Sequence, residues 1–160
     1  MFLLVATGKG GIYDRLMEYD YKTAPYQHQD DVLKASWDKI NWAYFLEMGT
    51  GKGKIAIDNA AILYECGEID TFIVIAPKGV YRIWADIEIP AHMPDRLIAF
   101  AAPAEGFRCL IMNVEALSTA KGQRFLSAVL RASRAFLVVD ESTAIKSPKA
   151  SRTKALLKMS

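Results

Sequence analysis

Two short runs, Thr71-Phe-Ile-Val-Ile-Ala76 and Ala135-Phe-Leu-Val-Val139, would be apolar on both faces of an extended chain, and no other feature of the sequence restricts the fold as strongly. A strand with one wet face alternates polar and apolar side chains, whereas a strand covered on both faces does not. Both runs are sharply bounded, the first by Pro77 and the second by Asp140 and Glu141. The rest of the chain must supply two covering layers.

The remaining periodicity supplies them. After Pro25, the residues Val32, Leu33, Trp37 and Ile40 recur at helical spacing, with Asp30 and Asp31 in the first turn, where the helix dipole favours acids. Trp42–Leu46 has strand length and ends at the glycine-rich string Gly49-Thr-Gly-Lys-Gly53. Ile55, Asn59, Ile62 and Leu63 predict a helix that stops at Gly67, and Val80, Ile83, Trp84 and Ile87 predict another after the first buried run. Leu97–Phe100 and Cys109–Met112 read as further strands, and Phe125–Leu130 as a helix. Strand and helix alternate, so the expected fold is α/β: a mostly parallel sheet with helices on both faces. The expected organisation is an N-terminal extension over 1–20 and one domain over 21–160.

Composition narrows the function classes. The 160 residues are 52% apolar with a net charge of +2, which excludes a disordered chain or a histone-like polycation. Cys66 and Cys109 stand alone without histidines at ligand spacing, so two buried free thiols are expected rather than a disulfide framework or zinc site. The apolar start, Phe2–Ala6, is cut off at Thr7-Gly-Lys-Gly-Gly11 before reaching the ~7–15 residues of a signal-peptide core, and no run nears the ~20 residues of a membrane span. A cytoplasmic protein without membrane association is expected. Residues 121–160 hold nine Lys/Arg against Asp140 and Glu141, either a solvated helical face or a contact surface for a polyanion.

In open α/β sheets, ligands bind at the carboxyl ends of strands. After the first strand comes Glu47-Met-Gly-Thr-Gly-Lys-Gly-Lys54, where glycines let backbone amides curl around an anion at a helix N-terminus and Lys52 reaches outer phosphates. As a bare string this is a common turn, but its place between an apolar strand and a helix is the context a phosphate loop requires. Asp140 and Glu141 lie 88 and 89 residues beyond Lys52, again at a strand end; one carboxylate would hold magnesium and the next orient attacking water. Thr7–Gly11 looks similar but lacks a matching helix and reads as a terminal turn.

Taken in order, Pro25-Tyr-Gln-His-Gln29, Glu47–Lys52, Ile75-Ala-Pro-Lys78 with Trp84, Met112-Asn-Val-Glu-Ala-Leu117, and Asp140-Glu-Ser-Thr143 with Ile145–Lys149 and Arg152–Lys154 resemble the motifs of superfamily-two helicases. The match is closest to the Swi/Snf-type, DEAD/H-like translocases of phages and bacteria, and it covers residues from about 20 onward. The resemblance implies a RecA-like P-loop NTPase domain, the first motor domain of an ATP-dependent DNA helicase or translocase. ATP and Mg2+ would be its cofactors, and double-stranded DNA and a second RecA-like domain its partners, in the cytoplasm, the host's if the chain is phage-encoded.

It also implies roles for single residues. Gln29, or else Gln27, would read the adenine edge with Tyr26 near the base, while Gly49, Thr50, Gly51, Lys52, Gly53 and Lys54 would hold the phosphates. Asp140 would bind the metal, and Lys52 and Glu141 would be catalytic. Lys78 and Asn113 would line the nucleic-acid groove, although a solvated lysine and a turn-forming asparagine are the ordinary readings of those two.

The sequence departs from the pattern at two points. The family has Thr or Ser after the loop lysine, its hydroxyl a metal ligand, where this chain has Gly53; nucleotide binding should therefore survive better than hydrolysis. The chain also stops about 20 residues after Asp140, so a truncated product or half of a split motor is expected, with a central strand missing beside the acidic box and backbone groups left unpaired. Whether Phe2–Ala6 occupies that gap is left open by the sequence. The competing reading is a catalytically silent nucleotide- or DNA-binding module that regulates another protein; a nucleotide kinase lacks a lid or arginine-rich closing loop to support it.

Overall fold

Side chains along β3 (Thr71–Ala76) and β5 (Ala135–Val139) are buried on both faces, as the continuous apolar runs require. The computed structural model describes residues 2–5, 19–37, 39, 41–98 and 106–140. In chain order the elements are β1 (Phe2–Val5), α1 (Gln27–Ser36), β2 (Asn41–Tyr44), α2 (Lys52–Glu65), β3, α3 (Tyr81–Ile83), a π-helical turn (Trp84–Glu88), α4 (Ile89–His92), β4 (Arg108–Asn113), α5 (Ala120–Ala132) and β5. Short 3-10 turns cover Asp95–Leu97 and Val114–Ser118.

Five strands form one sheet in the order β2-β1-β5-β3-β4. β3 pairs in parallel with β4 and with β5, so the parallel α/β core is present. The gap beside the acidic strand is not left unpaired. Phe2–Val5, within the N-terminal extension, enters it antiparallel to both neighbours, with Leu3 opposite Val139 and Ala43. Because β1 alone is reversed, the carboxyl ends of β2, β3, β4 and β5 all reach the same edge.

Alternate side chains build two cores. Phe72, Val74, Phe136 and Val138 meet Leu33 of α1, Ile55 and Ile62 of α2, and Trp84. Ile73, Ile75, Leu137 and Val139 meet Val114, Leu117 and Leu126 on the other face. Each fully buried side chain of this size contributes ~1.5–3 kcal/mol, which is why the two-sided runs specify the sheet.

Three sequence expectations need correction. Leu97 lies in a 3-10 turn rather than a strand, because Pro94 and Asp95 start a turn there; residues 99 and 100 lie outside the described residues. Ile83 and Ile87, expected on the buried helical stripe, are exposed. Pro90 has no N–H to give to Asp86, and the helix widens into the π turn just before it, closing instead with the Ile89 N–H on the Trp84 carbonyl. Glu88 and Ile89, not Ile87, therefore follow Trp84 inward. The cysteines are free, but Cys66 is half-buried and Cys109 exposed. Among the described residues no helix is long and apolar enough to cross a membrane.

Candidate functional site

The loop between β2 and α2 turns on two left-handed glycines, Gly49 at φ 78° and Gly51 at φ 75°. Gly51 ends the loop as the N-cap of α2 and sits so close to α1 that a Cβ there would lie 2.2 Å from Gln29 Nε2. Gln29, 4% exposed, fastens the two elements: its Oε1 accepts from the Tyr26 N–H at 3.0 Å and its Nε2 donates to the Thr50 carbonyl at 3.1 Å. His28 Nε2 donates to the same carbonyl at 3.0 Å, and the Thr50 hydroxyl donates to the Glu47 carbonyl at 2.8 Å. The loop shape is thus held from both sides.

Lys52 opens α2, and its ammonium turns back to donate to the carbonyls of Leu46 at 3.2 Å and Glu47 at 2.5 Å. Across from it stands Asp140, whose N–H donates to the Ile75 carbonyl at 2.8 Å and so fixes it at the carboxyl end of the parallel strands. Gly49, Gly51, Lys52, Gly53, Val80, Trp84, Glu88 and Asp140 line one cavity of about 200 Å³. Lys52 and Asp140, remote in sequence, are brought together here.

The far wall comes from the π turn. Trp84 is 2% exposed, packs edge-on against Phe72, and donates its indole N–H to Asp140 Oδ2 at 2.7 Å. Glu88, half-buried, approaches Gly53: a Cβ at that position would lie 2.7 Å from Glu88 Oε2. Burial first, and then the negative charge of Asp140, push the Glu88 carboxyl above the ordinary carboxylate range.

Other predicted residues lie elsewhere. Lys54 is buried and turned into the core, paired with Asp58 Oδ2 and 5.3 Å from the centre of the Tyr21 ring. Tyr26 is exposed and stacked on His28, while Gln27 donates to Asp31 on the surface of α1. Lys78 is exposed just past β3, and Asn113 ends the neighbouring β4, where its Oδ1 accepts from the Glu115 N–H at 2.7 Å as an ordinary turn cap. The two share the sheet's carboxyl edge with the cavity but do not line it. Glu141, the Ile145–Lys154 segment and Thr7–Gly11 lie outside the described residues. Of the basic C-terminal charges, Lys121, Arg124 and Arg131 lie exposed on α5.

Sequence reasoning missed Glu88 and the Trp84 indole N–H. The Trp84-x-x-x-Glu88 spacing, with Pro90 two residues on, was the available signal. Comparisons with protein-family models, with curated proteins and with solved structures find no match to this chain.

Proposed function

We propose that this chain is a RecA-like P-loop domain that binds ATP with Mg2+ as the first motor domain of a DNA helicase or translocase in the cytoplasm, working with a second RecA-like domain. The observation that supports this reading is the convergence of Lys52 and Asp140 on one cavity beside the N-terminus of α2. At about 200 Å³ it is smaller than the ~300–1,000 Å³ of sites that engulf a whole small molecule, and it suits the phosphate end of a nucleotide.

In this reading the loop amides and the α2 N-terminus receive the phosphates, and Lys52 exchanges its carbonyl partners for phosphate oxygens. The donor set also suits a hard divalent cation, since Asp140 and Glu88 bring carboxylate oxygens to the same wall. Magnesium, when bound, neutralises the charge of the phosphates. Trp84 holds the Asp140 carboxylate in one orientation. Glu141 orients attacking water by resemblance, and Lys78 and Asn113 face DNA along the sheet edge on the same ground.

A second reading, a catalytically silent nucleotide- or DNA-binding module, is favoured by Gly53 and by the carbonyl-bound Lys52. Phosphate release from ATP by the full chain, with and without double-stranded DNA, separates the two. DNA-stimulated release supports the motor reading; tight DNA binding without turnover, even when a second motor domain is supplied, supports the silent module.

A further inference from the structure

Position 53 is where a phosphate loop of the resembled kind carries a hydroxyl, and in this chain the room for any side chain there is taken. A Cβ on residue 53 would lie 2.7 Å from Glu88 Oε2, 3.2 Å from Glu88 Cδ and 3.7 Å from the Trp84 ring. The first of these distances is too short for a real contact, so a serine or threonine would have to push Glu88 aside. Glycine at 53 and glutamate at 88 therefore form a matched pair. Glu88 is carried there by the π turn, which also delivers Trp84 to Asp140. Its carboxylate lines the same cavity as Asp140 and Lys52, and His92 stands 3.9 Å from it on the side of α4. Two carboxylates thus face one small cavity in which the Lys52 ammonium is directed to main-chain carbonyls instead.

We infer that Glu88 replaces the missing loop hydroxyl as the second protein oxygen for the divalent cation, sharing it with Asp140. This deepens the proposed nucleotide reading and rests on it. The carboxylate reaches from the π turn to the space beside Gly53 that a loop side chain would otherwise fill, so the metal keeps two protein ligands from the cavity lining. A charged oxygen in place of a neutral one also makes the site depend more strongly on the cation, because without it the phosphates meet two negative groups.

The test is calorimetric titration of the full chain with ADP and with ATP, in Mg2+ and in EDTA, for the wild type, Glu88→Gln, Gly53→Ser and the Gly53→Ser/Glu88→Ala double variant, each checked for folding by circular dichroism. The wild type should bind at least tenfold more tightly with Mg2+. Glu88→Gln should lose most of that ratio, Gly53→Ser should keep it by exchanging the Glu88 carboxylate for its own hydroxyl, and the double variant should keep it through that hydroxyl without Glu88. A Glu88→Gln chain that keeps the full Mg2+ ratio overturns the assignment while leaving nucleotide binding standing. A wild type that binds neither nucleotide in either condition overturns both.

Discussion

The indole N–H of Trp84 donates to Asp140 Oδ2 at 2.7 Å, joining the π turn after β3 to the end of β5. The contact lets one side chain serve as core and as wall of the site. Trp84→Phe keeps most of the packing against Phe72 but removes the donor. A hydrogen bond to an ionised group is worth ~1.5–3 kcal/mol, so urea unfolding should show a loss in that range. Asp140→Asn, which keeps an acceptor but removes the charge, should lose less.

Lys52 and Lys54 are two residues apart in the same helical turn yet do different things. Lys52→Ala should weaken ATP binding at least tenfold with little change in stability, because its half-exposed ammonium meets, among the described residues, two loop carbonyls rather than a buried charge. Lys54→Ala strips the partner from Asp58, which is 1% exposed, and should destabilise the fold by ~3–5 kcal/mol. Paired chemical-denaturation and nucleotide-titration curves would separate the two effects.

Burial raises the Asp58 carboxyl from 3.8 to about 6, against the pull of Lys54. Between those values the folded chain binds the proton more readily than the unfolded one, so the Asp58 contribution to stability grows as pH falls through about 6 and is lost as pH rises through it. His92 acts in the opposite sense, since burial first, and then the charges of Lys54 and Lys22, hold its imidazole below the usual range. The measurement is therefore a difference: melting temperature between pH 4 and 7 for the wild type minus Asp58→Asn. A difference that rises toward acid is expected; a flat one would remove Asp58 as the source.

Gly51→Ala meets two obstacles, a left-handed backbone and the Gln29 carboxamide. The conformation alone costs ~1–3 kcal/mol for a residue with a Cβ. Adding Gln29→Ala should relieve the steric part and leave the backbone part, so the pair should be less destabilised than the sum of the single variants in denaturant titrations.

Much of this architecture could be read from residue order. β3 and β5 were legible because two-sided burial leaves an unbroken apolar run, and α2 because glycines precede it. Boundaries failed where local chemistry overrides period. Trp42–Leu46 overshot β2, which ends at Tyr44, since Phe45 is exposed despite its side chain. α5 begins at Ala120, earlier than Phe125, because the Thr119 hydroxyl accepts from the Gly122 N–H at 3.1 Å.

At the site, the glycine loop and Asp140 were legible as strand-end residues. Glu88 was not, because a carboxylate one helical turn after Trp84 does not register in an apolar stripe, which singled out Ile87 instead. Lys54 was expected to reach phosphate, but counting along a loop gives no direction for a side chain once the helix has begun at Lys52. Gln29 could be singled out by sequence, while its fastening role needed the distance to Gly51.

The central claim is that the glycine loop and Asp140 act as one phosphate and metal site. A double-mutant cycle on MgATP affinity, with Lys52→Ala, Asp140→Asn and both together, measures this directly. The account predicts that the two losses are not additive, with a coupling of at least ~1 kcal/mol, as for residues that share one ligand. Losses that add to within ~0.3–0.5 kcal/mol, or a wild type whose affinity neither substitution changes, would contradict it.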